Sequence, residues 1–98
     1  MNANARIELI TQRLQQALSP QHLEIIDESH LHVGHQGAIE SGAGHFKVEV
    51  IANSFGDRSK VERHKMIYMA LGDAMGKEIH AISISAKTPA EAATIRIQ

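Results

Sequence analysis

Ile7, Ile10, Leu14 and Leu18 recur at steps of three and four, which gathers them on one side of a 3.6-residue helix. With Asn4 available as a cap and Ser19-Pro20 as the stop, the pattern predicts an amphipathic helix over Arg6–Leu18. Leu23-Glu24-Ile25-Ile26-Asp27 is β-branched and roughly alternating, a short strand. The sixteen residues from Ser29 to Gly44 carry no clear period and four glycines, Gly34, Gly37, Gly42 and Gly44. Uninterrupted loops of that length in a small domain are usually functional or disordered. Alternation returns at His45, with Phe46, Val48 and Val50 on one face of a strand and His45, Lys47 and Glu49 on the other. Phe55-Gly56-Asp57 supplies a turn, and Ser59 and Glu62 form a capping box that opens a second helix. Its predicted apolar stripe is Val61, His64, Tyr68, Leu71 and Met75, with Gly76 as the C-terminal stop. Ile79 to Ala86 predicts a third strand, and Thr88-Pro89-Ala90-Glu91 the start of a short last helix.

The resulting order, α-β-β-α-β-α, predicts an α+β fold. A helix joining the second and third strands is most simply a right-handed crossover, so the sheet is expected to be three-stranded and mixed, with helices packed on one face. The arrangement resembles a class II KH-like fold, and a fold by itself does not fix a function. No repeat or interdomain linker divides the chain, and its 98 residues read as one domain over 1–98.

Composition narrows the chemistry. Ten Lys and Arg against eleven Asp and Glu give a formal charge of −1, so there is no global basic field for nucleic acid. Without a cysteine the chain has no disulfide, thiol nucleophile or thiolate ligand of its own. No apolar run approaches the roughly 18 residues of a membrane span, and Met1-Asn2-Ala3-Asn4 does not open a signal peptide, so the cytoplasm is the expected location.

Seven histidines remain as the distinctive residues. His30, His32 and His35 stand at spacings that can converge on one metal ion; the plainer reading is a wet loop whose histidines share no task. His80 shares parity with Ile82 and Ile84, which predicts a place on the apolar face or its rim, and a half-buried imidazole satisfied by a backbone partner explains it equally well. His64 falls in the helix stripe and is assigned to packing. Arg58, Lys60, Arg63 and Lys65 cluster at the start of the second helix, where cations and a helix N-terminus can hold a partner's anions or a phosphate backbone; a solvated face is the alternative. Asp27, Ser29 and His30 make no triad, since neither a nucleophile elbow nor an oxyanion hole accompanies them. Gly42-Ala43-Gly44 precedes a strand rather than a helix, the wrong setting for a phosphate loop.

Four segments together resemble the BolA family: Asp27-Glu28-Ser29-His30, Gly44-His45-Phe46, Val61-Glu62-Arg63-His64-Lys65, and Ile79-His80-Ala81 followed by Thr88-Pro89. The resemblance implies a non-enzymatic partner of a monothiol glutaredoxin, sharing a two-iron, two-sulfur (2Fe-2S) cluster in iron-sulfur trafficking or iron and redox regulation. It implies that His80 is an iron ligand and that a second comes from the loop between the first two strands, where His32 and His35 are the first candidates, ahead of His30 and His45. The thiolates would come from the glutaredoxin and its glutathione, so no cofactor is expected in the isolated chain. Arg63, expected to point outward, could then meet the partner. A different role attributed to some BolA-like proteins, DNA-binding transcriptional regulation, would use the second helix and its cations. Physical chemistry is compatible with the first division of labour, because imidazole can replace thiolate on one iron of such a cluster.

Overall fold

The computed structural model describes residues 2–28 and 44–97. Helix α1 spans Ala3–Leu18, beginning three residues before the expected Arg6. Its cap is Asn2 rather than Asn4, the Asn2 side chain accepting from the Ala5 N–H at 2.8 Å. The helix closes at Ser19, whose φ of 45° is left-handed and whose N–H returns to the Gln15 carbonyl. Strands β1 (His22–Asp27), β2 (His45–Ile51) and β3 (Ala81–Lys87) form one sheet in the order β1-β2-β3. β1 pairs with β2 antiparallel and β2 with β3 parallel, the mixed sheet expected of a chain that crosses over through a helix. That crossover contains helix α2, Lys60–Leu71, and the chain ends in helix α3, Pro89–Ile97.

One core holds the elements together. Ile10, Leu14 and Leu18 of α1, Phe46, Val48 and Val50 of β2, and Ile67 and Leu71 of α2 are all buried. Burying one such aliphatic or aromatic side chain contributes about 1.5–3 kcal/mol. The strict alternation of β2 turns His45, Lys47 and Glu49 to the opposite face of the sheet, none of them fully buried.

Two expectations for α2 are corrected. The helix stops at Leu71, where Gly72 caps it with a φ of 55°, a conformation that favours glycine; Gly76 sits in the following turn and donates to the Ile79 carbonyl. Its buried stripe is Arg63, Ile67 and Leu71, while Val61, His64 and Tyr68 are exposed. The helix is therefore rotated by about one residue, roughly 100°, from the orientation that apolar residues alone suggest. The capping box at Ser59 and Glu62 is as expected, and Thr88 and Glu91 form a second one at the head of α3.

Candidate functional site

His80 is neither in β3 nor on the apolar face: the strand starts at Ala81, and His80 is exposed in the bend before it. Ile79, its neighbour, is fully buried and fixes the chain on the core side of that bend. On the other side the His80 and Ala81 N–H groups both donate to the Gly44 carbonyl, at 2.7 and 3.1 Å. Gly44 can come this close because it has no side chain: a Cβ there would lie 2.5 Å from the Glu78 carbonyl oxygen and 3.1 Å from the His80 nitrogen. The parallel register continues from this clamp, His45 opposite Ala81 and Phe46 opposite Ile82.

The consequence is a pair of imidazoles. The rings of His45 and His80 lie with centroids 4.9 Å apart, tilted by 42°. They stand where β2 and β3 begin and β1 ends, beside a hollow lined by Glu28, His45, Phe46, Ala81, Ile82 and Ser83. Glu28 and Gly44 both lie at this end of the sheet, the Glu28 N–H donating to the His45 carbonyl. His30, His32 and His35 fall outside the described residues. Sequence reasoning placed His45 behind the loop histidines; the signal that brings it forward is the parallel register, which starts β2 and β3 side by side.

At the start of α2 the four expected cations separate into two kinds. Arg58, Lys60 and Lys65 are exposed, Arg58 being 3.8 Å from Glu62. Arg63 is not available to a partner, contrary to its predicted outward aspect. Its side chain is buried at 9% exposure and makes four hydrogen bonds: Nε donates to the Arg58 carbonyl, one terminal nitrogen to the Ala86 carbonyl, and the fork holds Glu91 at 2.7 and 3.2 Å. Phe55 lies under it, 5.9 Å from the guanidinium carbon to the ring centre. The Arg63 fork and the Thr88 N–H hold the Glu91 carboxyl down to about 2 from an ordinary 4.5, against a smaller desolvation effect. Beside this knot a hollow is lined by Lys60, His64 and Lys87, of which Lys87 was not among the predicted residues.

A protein-family model described as BolA-like protein matches residues 14–91. The chain belongs to the BolA family. Among BolA relatives, SufE-like protein 1 of Arabidopsis thaliana is 40% identical over 84% of this chain, which spans only 23% of that longer protein. The solved BolA domain of SufE1 from the same plant superposes with a TM-score of 0.76 at 36% identity, covering 93% of this chain and 98% of the domain. The DNA-binding transcriptional regulator BolA of Haemophilus influenzae is 34% identical over 86% of this chain and 78% of its own length. The α+β architecture with a three-stranded mixed sheet is that of BolA structures. Among the described residues no helix is long and apolar enough to cross a membrane.

The donor set of the BolA sheet end fits a shared iron-sulfur cluster in one respect only. It brings two imidazole rings side by side, His45 Nε2 being buried, and, in a chain without cysteine, offers no thiolate. Imidazoles suit one iron of such a cluster, the remaining ligands being sulfur.

Proposed function

We propose that this BolA-family chain is a non-enzymatic partner of a monothiol glutaredoxin, donating imidazole from His80 and from a second histidine to a 2Fe-2S cluster whose thiolates belong to the glutaredoxin and its glutathione. The observation that carries the reading is the exposed His80 ring held beside His45 at the end of the sheet. His45 thereby joins His32 and His35 as a candidate for the second ligand. When bound, the cluster supplies one-electron chemistry or is itself the cargo. The chain's own part is to present nitrogen donors at a fixed place: the Gly44 carbonyl and the buried Ile79 hold the backbone at His80, so that the point from which the ring projects is set before a partner arrives. Membership of a family that includes the BolA domain of a SufE-like protein supports the reading. The cytoplasm, where thiols stay reduced, is the compartment we infer.

The test is visible absorption and circular dichroism of a cluster-loaded monothiol glutaredoxin titrated with this protein. A saturable one-to-one change that His80→Ala abolishes while binding persists supports ligation. A spectrum that never changes ends the shared-cluster reading for that partner.

A second reading has its own observation. Lys60, His64 and Lys87 line one hollow together with the Glu91 carboxylate, with Arg58 and Lys65 exposed around the start of α2, cations that can meet a phosphate backbone, and the Haemophilus relative is named a DNA-binding regulator. If Arg58, Lys60, Lys65 and Lys87 contact phosphates, DNA affinity should fall with salt at a log-log slope no steeper than about −4. Affinity insensitive to salt removes this surface from consideration.

A further inference from the structure

At the other end of β2 a second cluster of donors has no part in either reading. His22 and Glu24 of β1 and Glu49 of β2 share the sheet face that α1 and α2 leave uncovered, and one ligand atom from each lies within 4.8 Å of the other two. The register explains how they meet: Glu24 stands directly opposite Glu49, and His22, opposite Ile51, reaches Glu49 on the diagonal. Two carboxylates opposed across an antiparallel pair repel one another. On its other side Glu49 faces Ser85 of β3, with Lys47 diagonal to Glu24 and Lys87 diagonal to Glu49 at the same two-residue offset as His22.

The imidazole stands within ion-pair distance of one of the two carboxylates, that of Glu49. His22 Nε2 is shut off from solvent and makes no hydrogen bond, although Glu49 Oε1 is 3.2 Å away. The two atoms are close, but not aligned as donor and acceptor. Their separation is instead near the edge of a tetrahedral coordination shell, which for bonds of about 2.0–2.2 Å is about 3.3–3.6 Å. One nitrogen and two carboxylates match an ion that accepts both donor types, the zinc class, better than magnesium or calcium, which prefer oxygen alone.

We propose that His22, Glu24 and Glu49 form a binding site for a zinc-class divalent cation on the sheet face away from α1 and α2, with His22 at its α3 border and a fourth position left to water. It is distinct from the His45 and His80 pair: Glu49 is four residues further along β2, about 13 Å at the rise of a strand.

The test uses the whole chain, free of any partner, with Zn2+ as the probe. Amide and imidazole NMR spectra are recorded against added Zn2+ for the wild type, His22→Gln, Glu24→Gln and the double variant His45→Ala/His80→Ala. The expected result is saturable shifts around His22, Glu24 and Glu49 that persist in the double variant, with affinity for that site reduced at least tenfold in His22→Gln and in Glu24→Gln. Glu24 is exposed, so Glu24→Gln decides the matter should His22→Gln fold poorly; the amide spectrum itself reports folding. Shifts confined to the surroundings of other histidines, an absence of saturable shifts, or undiminished affinity in Glu24→Gln overturns the proposal.

Discussion

Arg63 shows how one side chain can hold two elements in place. Its fork joins α2 to Glu91 of α3, and its remaining donors satisfy the carbonyls of Arg58 and Ala86. Arg63→Ala would strip the donors from two partly buried carbonyls as well as from the Glu91 carboxylate. We expect Arg63→Ala to lower Tm well beyond Arg58→Ala, whose side chain is half in solvent and makes a long contact at 3.8 Å; equal melting temperatures would contradict the assignment. Glu91 gives the same knot a pH signature. Its carboxyl is held at about 2 in the fold against 4.5 ordinarily, so as pH falls the unfolded chain takes up this proton first. The stabilisation is complete above 4.5 and disappears as pH falls towards about 2. Denaturation curves of wild type and Glu91→Gln should therefore differ most near neutral pH and converge through that acid window. A gap that stays constant down to the acid limit would show that the pair contributes nothing through ionisation. Glu62 is lowered too, first by the Ser59 backbone N–H that it accepts, and would add to the acid sensitivity of α2.

At the scale of elements, the constraint on the candidate site is the clamp between Gly44 and the Glu78–Ala81 backbone. Gly44→Ala would set a Cβ 2.5 Å from the Glu78 carbonyl, and since backbone lies on both sides, β2 and β3 must part at their start. Overpacking of this kind costs about 1–3 kcal/mol. The expected outcome is a lower denaturation midpoint together with altered NMR signals of both the His45 and His80 rings; unaltered ring signals would mean that the clamp does not set their geometry. The sequence carried the elements themselves well, because their signals are local: the steps of α1, the alternation of β2, and the capping boxes at Ser59 and Thr88. It carried the rotation of α2 poorly. Arg63 takes a core position only because Glu91, Ala86 and Phe55, 28, 23 and 8 residues away, supply its partners, and no pattern within the helix contains them. By apolarity alone Val61 and Tyr68 belong to the core, yet both are exposed. His80 was legible as a residue of interest but not in its place, because strand parity fails at the bend that precedes Ala81, and its neighbour His45 depends on a register between strands 36 positions apart.

Among the described residues, the side chains that hold the fold and the imidazole that His80 presents are different groups. The core runs from α1 through β2 to α2 on one side of the sheet, and Arg13 of α1 ties it to the end of α2 by donating to the Leu71 carbonyl at 2.8 Å, a cation at a helix C-terminus. His80, by contrast, is exposed, and its backbone rather than its side chain joins the Gly44 clamp. Removing the imidazole should therefore leave the scaffold intact, since surface substitutions away from caps and buried partners usually stay within about 0.5 kcal/mol. His80→Ala should melt within about 2–4 °C of wild type while losing the spectral change with a cluster-loaded glutaredoxin. Arg63→Ala should do the reverse, lowering Tm while keeping the spectral change at temperatures where it remains folded. Thermal melts and cluster titrations of the two variants side by side separate these roles: if His80→Ala unfolds the chain, its imidazole belongs to the scaffold, and if Arg63→Ala abolishes the spectral change while folded, the α2 knot also reaches the partner.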